Sequence, residues 1–248
     1  MKIYGLIGNP LGHSFSQKYF TEKFRLENIK NCTYLNFEII NLPEEIIRLK
    51  ANPNLCGLNI TIPYKSEIIS YLNEFSKECE VINACNCIKV HENKWIGFNT
   101  DIIGFEKTFI KHLKPYHKRA LLLGTGGSSK AVAYVLQKLN IEYLLVSRKK
   151  KATAGFINYE QIDSSTIQEY TVVINTTPVG MFPAMELSPA LPYEFVTPEH
   201  YFFDLIYNPA KTLFLSKAED RGAVIENGKK MLIIQADESW KIWNQKFE

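Results

Sequence analysis

The sequence predicts an α/β protein of two domains, and two observations carry that prediction. Strand-like and helix-like segments alternate along the chain, which places helices on the faces of sheets. The first hundred residues already complete one such sheet before a strand, a glycine turn and a helix open a second. At 248 residues the chain has enough core for one large domain or two modest ones. The break falls near Asn99–Ile103, with a second near Gly228 if the last helix folds back onto the first domain. Two such crossings would make a hinged cleft.

The elements follow in order from apolar periodicity and turn residues. Lys2–Ile7, Thr33–Ile39 and Leu55–Ile60 read as strands; Ser16–Asn28, Pro43–Ala51 and Ser66–Leu72 read as helices. A helix over Glu74–Ile82 precedes a hairpin, Cys85–His91 and Trp95–Phe98, turning at Glu92-Asn93. Asp101–Leu113 reads as a helix running toward Pro115. Strands then follow at Arg119–Leu123, Tyr143–Val146, Val172–Asn175 and Tyr201–Asp204, with another near Ala223–Ile225. Helices are expected over Ser129–Leu139 and Lys211–Arg221, and one amphipathic helix over Lys229–Phe247 closes the chain.

Composition excludes several classes. No apolar run approaches the roughly 20 residues that span a bilayer, and the N-terminus enters a strand pattern at once, without a signal segment. The net charge is +3, and Arg148, Lys149, Lys150 and Lys151 alone supply four positive charges. The rest of the chain is nearly neutral, so a nucleic-acid surface is not expected. Five cysteines, Cys32, Cys56, Cys79, Cys85 and Cys87, lack zinc-type spacing. They read as reduced cytoplasmic thiols, mostly core packing, and no metal is expected.

The glycine turn is Gly124-Thr125-Gly126-Gly127-Ser128-Ser129, between the apolar run Ala120–Leu123 and the helix pattern Ala131–Leu139. In that context the glycines let the backbone turn tightly and approach a pyrophosphate on the helix N–H groups. The next strand ends in Ser147-Arg148-Lys149-Lys150-Lys151. An NAD site carries an acid near this place for the ribose 2′-hydroxyl. Here the place is cationic, which suits the 2′-phosphate of NADP, although a solvated basic loop reads the same way.

The first half carries Gly8-Asn9-Pro10-Leu11-Gly12-His13-Ser14-Phe15-Ser16 after its first strand, with Ser16 also readable as a helix cap. Asn59-Ile60-Thr61-Ile62-Pro63-Tyr64-Lys65 puts Lys65 just past a strand end, where a lysine is most often a solvated surface residue. Asn83-Ala84-Cys85-Asn86 and Gly97-Phe98-Asn99-Thr100-Asp101 follow; Asn86 could be a strand-edge residue and Asp101 a helix cap.

Together these stretches closely resemble the shikimate dehydrogenase (shikimate/quinate dehydrogenase) family. The resemblance runs from end to end and includes Asn175-Thr176-Thr177-Pro178-Val179-Gly180-Met181, Asp204-Leu205-Ile206-Tyr207-Asn208-Pro209, Asn227-Gly228, Met231-Leu232 and Gln235-Ala236. It implies a substrate-binding catalytic domain over 1–100 with the C-terminal helix 229–248, and a Rossmann-type NADP-binding domain over 101–228. The implied reaction interconverts 3-dehydroshikimate and shikimate, a step toward chorismate and the aromatic amino acids. Lys65 and Asp101 are the implied catalytic pair. An ammonium can stabilise and protonate the alkoxide that forms as a ketone is reduced, and a carboxylate can accept a substrate hydroxyl. Ser14, Ser16 and Tyr207 are implied for the carboxylate, and Thr61, Asn86 and Gln235 for hydroxyls. Gly124, Gly126, Gly127, Ser128, Ser129, Ser147, Arg148, Lys149, Thr176, Thr177, Met181 and Gly228 are implied for the cofactor.

The chain departs from the family pattern at several places. Gln17 replaces a proline, Cys87 replaces a threonine, the basic segment is shifted, and Lys229 and Lys230 stand where small or apolar residues are usual. Two rival readings remain: a broader quinate/shikimate dehydrogenase using NAD, and a non-catalytic sensor of NADP or shikimate. Both monomers and homodimers fit the resemblance.

Overall fold

The computed structural model describes residues 1–12, 14–148 and 155–245. Two compact units divide the chain: Met1–Thr100 with the chain from Ala236 onward, and Asp101–Gln235. Gly228 stays with the second unit, its N–H donating to Ile206 O at 3.0 Å.

The first unit runs β1 (Lys2–Gly8), α1 (Phe15–Leu26), β2 (Cys32–Glu38), α2 (Leu42–Lys50), β3 (Leu55–Ile60), β4 (Glu74–Phe75), α3 (Lys77–Ile82), β5 (Cys87–His91) and β6 (Lys94–Phe98). Its sheet has the order β2-β1-β3-β5-β6-β4. Strands β2, β1 and β3 are parallel, while β5 pairs antiparallel with both β3 and β6. Glu92 and Asn93 both take positive φ, the two-residue turn whose twist suits a hairpin.

Alternation along β1 explains why both faces are covered. Ile7 packs with Ile39, Ile46, Leu58 and Ile60 on one face. Tyr4 and Leu6 pack with Phe20, Phe24 and Trp243 on the other. Each such fully buried side chain contributes about 1.5–3 kcal/mol before entropy is counted.

Residues 74–82 do not form the single helix the sequence predicts. Glu74–Phe75 pairs instead with Ile96–Gly97, and Ser76 then caps α3 by accepting from Cys79 N–H. The side-chain cap fixes the helix start and frees the two preceding residues for the sheet edge. Likewise the expected helix at Ser66–Leu72 is a short 3₁₀ turn, Glu67–Tyr71.

The second unit runs α4 (Asp101–Phe109), β7 (Arg119–Leu123), α5 (Gly127–Lys138), β8 (Glu142–Val146), β9 (Phe156–Ile157), α6 (Ser164–Glu169), β10 (Val172–Asn175), β11 (Tyr201–Asp204), α7 (Leu213–Glu219), β12 (Val224–Glu226) and α8 (Lys229–Asn244), the last helix ending in the first unit. Its sheet is wholly parallel, in the order β12-β11-β10-β7-β8-β9. Strands β10 and β11 are buried along their whole length, and β7 from Ala120 on, so they read as continuous apolar runs rather than alternating ones. The order reverses between β7 and β10, the switch point where open α/β sheets bind ligands. Among the described residues no helix is long and apolar enough to cross a membrane.

Candidate functional site

In the first unit the three N-terminal motifs converge at the C-terminal ends of β1 and β3. Thr61 N–H donates to Ile7 O at 2.8 Å, Asn9 N–H to Ile62 O at 3.0 Å, and Cys85 N–H to Lys65 O at 2.7 Å. These main-chain bonds place Thr61 and Lys65 on one turn beside the strand end that leads to Asn86. Ser14, not Ser16, caps α1: its Oγ accepts from Gln17 N–H at 3.4 Å. Ser16 lies in the first turn and is buried. The capping position is therefore two residues earlier than Ser16 would supply, and Ser16 is turned inward. Gln17, the departure beside these serines, accepts from Asn36 Nδ2 at 3.1 Å.

Asn86 is buried, and its carboxamide is fixed from outside its own segment. Thr100 N–H donates to Asn86 Oδ1 at 2.7 Å, and Asn86 Nδ2 donates to Thr100 Oγ1 at 3.1 Å. It is thus held by side-chain and main-chain bonds, not left at a strand edge. Tyr34, Asn59, Thr100 and Ser239 complete this polar cluster, and motif reading assigned none of them a role. Asn59 and Thr100 lay inside quoted motifs. Tyr34 and Ser239 carried no local signal, because their partners are distant in sequence.

Cys87, the other departure from pattern, faces Ser239 and Trp243, and burial raises its thiol pKa to about 12. Cys85 is pushed up by burial as well. Such thiols remain protonated at neutral pH and are poor nucleophiles. All five cysteines are free.

In the second unit the glycine turn sits at the switch point. Gly124 has φ +106°, and a Cβ there would stand 2.7 Å from Thr176 Oγ1 and 3.0 Å from Thr177 Cγ2. Only glycine fits that backbone and that closeness. Ser129, buried where a third glycine is common, donates its hydroxyl to Gly124 O at 2.8 Å and so closes the turn. Gly126 precedes α5 without a side-chain cap, and a Cβ built on it meets nothing within 4 Å. Gly127 and Ser128 form the first turn of α5. Open space over a glycine at an uncapped helix start fits a pyrophosphate, and NADP is compatible with these residues.

Arg148 is exposed just past β8, and Ser147 N–H donates to Ile157 O at 3.0 Å. Lys149, expected beside the phosphate, lies outside the described residues, as do Lys150 and Lys151. Thr176 donates from Oγ1 to Leu123 O at 2.6 Å, and Thr177 donates from N and Oγ1 to Asn175 Oδ1 at 3.0 and 2.7 Å. Met181 is exposed on the same loop, its N–H donating to Pro178 O at 3.1 Å. Gly228 is needed for packing: a Cβ there would overlap the Leu205 carbonyl.

Asp101 heads α4, buried, where a carboxylate suits the helix dipole. Tyr207 follows β11, half-buried, and Gln235 is buried on α8 with Nε2 donating to Leu232 O at 3.0 Å. Lys230 meets Glu226 at 3.2 Å, and His112 meets the same carboxylate at 3.2 Å, which accounts for one of the two unusual lysines. Nothing in the structure explains Lys229 beyond its N–H donating to Asn227 Oδ1 at 3.0 Å.

Asp204, to which the sequence motifs give no role, is a structural group. It is fully buried at the end of β11 and accepts from Thr212 Oγ1 at 2.6 Å, Ile206 N–H at 3.0 Å and Asn175 Nδ2 at 3.1 Å. Burial raises its pKa to about 7 despite those donors. Through Asn175 it fixes the Thr176–Thr177 turn that Gly124 needs. Among the described residues no cluster of three or more His, Cys, Asp or Glu is placed to hold a metal.

A wholly parallel sheet with an uncapped glycine turn at its switch point is a Rossmann-type dinucleotide-binding unit, here in one chain with a unit whose strand ends carry hydroxyls, amides and a lysine. Comparison with known proteins makes the class particular. The model of the shikimate dehydrogenase substrate binding domain matches residues 6–88. A shikimate dehydrogenase (NADP(+)) of Methanococcus maripaludis is 36% identical over 98% of this chain and 91% of its own length. The crystal structure of shikimate dehydrogenase from Aquifex aeolicus has a TM-score of 0.88 at 33% identity, covering 98% of this chain and 92% of that one. That of the Thermus thermophilus enzyme, in complex with NADP(H) and shikimate, has a TM-score of 0.86 at 26% identity, covering 98% and 94%. The chain belongs to the shikimate dehydrogenase family.

Proposed function

We propose that this protein is an NADP-dependent oxidoreductase that reversibly reduces 3-dehydroshikimate to shikimate in the cytoplasm, on the route to chorismate and the aromatic amino acids. The observation that carries this reading is the convergence of Thr61, Lys65 and Asn86 at the strand ends of the first unit, in a family whose relatives are named for this activity. The substrate is a small ring with one carboxylate and several hydroxyls. Short neutral donors and acceptors around one ammonium suit such a ligand.

Each residue then has a task. As a cap, Ser14 uses its oxygen as acceptor and keeps its hydroxyl hydrogen for the substrate carboxylate, with Ser16 and Tyr207 as the other donors. Asn86, Thr61 and Gln235 bind ring hydroxyls. Lys65 stabilises the growing charge on the ketone oxygen and hands it a proton, while Asp101 accepts a substrate hydroxyl. NADPH, when bound, supplies the two electrons and the hydrogen that reach the ring carbon. Gly124, Gly126, Gly127, Ser128 and Ser129 hold its pyrophosphate by main-chain and hydroxyl donors. Ser147, Arg148 and Lys149 serve its 2′-phosphate, with Arg148 able to bond it bidentately. Thr176, Thr177, Met181 and Gly228 belong to the nicotinamide half.

The test is a purified-protein assay of shikimate and quinate, each with NADP and with NAD. Turnover of shikimate with NADP, well above the other three combinations, is expected. Comparable turnover of quinate with NAD would replace this reading by the broader dehydrogenase. Binding of both ligands without any absorbance change would replace it by a sensor.

A further inference from the structure

The first unit contains a continuous chain of buried polar side chains that the substrate-reading residues alone do not require. The Tyr34 hydroxyl donates to Asn59 Oδ1 at 2.9 Å. Asn59 Nδ2 donates to Ser239 Oγ at 2.9 Å and to Asn86 O at 3.2 Å. Ser239 Oγ lies 3.2 Å from Thr100 Oγ1, and Thr100 grips both ends of the Asn86 carboxamide. All five residues are buried, Thr100 and Ser239 completely.

We infer that Ser239 is a positioning residue for the substrate. Through Thr100 it fixes the Asn86 carboxamide, and through Asn59 it holds the Asn86 main-chain carbonyl, so Asn86 meets a substrate hydroxyl in one orientation. This rests on the role proposed above for Asn86.

A main-chain N–H can only meet an oxygen, so Thr100 pins Asn86 with Oδ1 toward itself and leaves the amide nitrogen as the donor. Asn86 Nδ2 donates to Thr100 Oγ1 at 3.1 Å, and Thr100 Oγ1 lies 3.2 Å from both Asn86 Oδ1 and Ser239 Oγ. A fully satisfied buried network specifies one geometry, whereas a partly satisfied one does not. The helix that carries Ser239 is itself locked: Trp243 Nε1 donates to Ile88 O at 2.9 Å, and its indole occupies the space a Cβ on Gly57 would need.

The test compares Ser239→Ala, Asn86→Ala and the double variant in the full-length enzyme with shikimate and NADP. Ser239→Ala is expected to raise the KM for shikimate about tenfold with the KM for NADP unchanged. On the Asn86→Ala background the same change is expected to add less than twofold, because Ser239 acts through Asn86. Equal effects on both backgrounds, or a fall in Tm with no change in KM, would overturn the inference. If Ser239→Ala does not fold, Thr100→Val against Thr100→Ser carries the same test: the serine variant is expected to restore the KM that the valine variant loses. A wild-type enzyme inactive on shikimate overturns the functional reading and this inference with it; an active one without the KM shift overturns this inference alone.

Discussion

On the proposed reading, the two units recognise polar ligands by opposite means. At the strand ends of the first unit recognition lies in side chains, with Asn86 held by the Thr100 side chain and main chain. At the switch point of the second, it lies in the backbone. Gly124 takes a left-handed conformation, Gly126 leaves open space, and α5 begins without a side-chain cap. A ring with several hydroxyls must be told from its isomers, which side-chain hydrogen bonds do well, since an unmatched buried partner is costly. A pyrophosphate offers only charge and acceptors, and main-chain N–H groups suffice for it.

The sharpest way to break this contrast is at Lys65. Lys65→Ala is expected to lower kcat by about 10²–10⁴-fold while shikimate still binds, measured by initial rates and by calorimetric titration. Near wild-type kcat would remove Lys65 from the chemistry. Next comes Gly124→Ala, which sets a Cβ against Thr176 and forces a strained φ. We expect about 2–3 kcal/mol of destabilisation, a fall in Tm of several degrees, and a raised KM for NADP. An unchanged Tm and KM would show that the turn tolerates a side chain.

A smaller effect belongs to Asp204. Its folded pKa of about 7 lies above the ordinary carboxylate value near 4, so between those pH values the folded chain holds a proton that the unfolded chain lacks. This group's contribution to stability therefore declines as pH rises from about 4 to 7, by at most about 1.4 kcal/mol per pH unit. Asp204→Asn should flatten the Tm-against-pH curve in that window. A curve of unchanged slope would place the titration elsewhere.

Much of this was legible in the sequence because buried strands are continuous apolar runs with sharp ends. Leu55–Ile60, Arg119–Leu123, Val172–Asn175 and Tyr201–Asp204 begin and end as read. Local signals failed where pairing was distant. Glu74–Phe75 looked helical because only its partners Ile96 and Gly97 make it a strand. The strand Phe156–Ile157 and the helix Ser164–Glu169 are too short to show periodicity, although Asp163, which accepts from Thr166 N–H, was a readable cap. The site divides in the same way. The glycine turn announces itself in six consecutive residues, whereas the polar cluster around Asn86 depends on Tyr34 and Ser239, which meet their partners only after the sheet and the last helix have formed.

That the two units read their ligands separately is tested most directly by a crossed kinetic measurement on Ser16→Ala and Arg148→Ala. The KM values for shikimate and for NADP are determined for both variants and for the wild type. Ser16→Ala should raise the KM for shikimate about tenfold and leave that for NADP alone, and Arg148→Ala should do the reverse while leaving activity with NAD unchanged. If either variant shifts both constants equally, the two units do not read their ligands separately and the account fails.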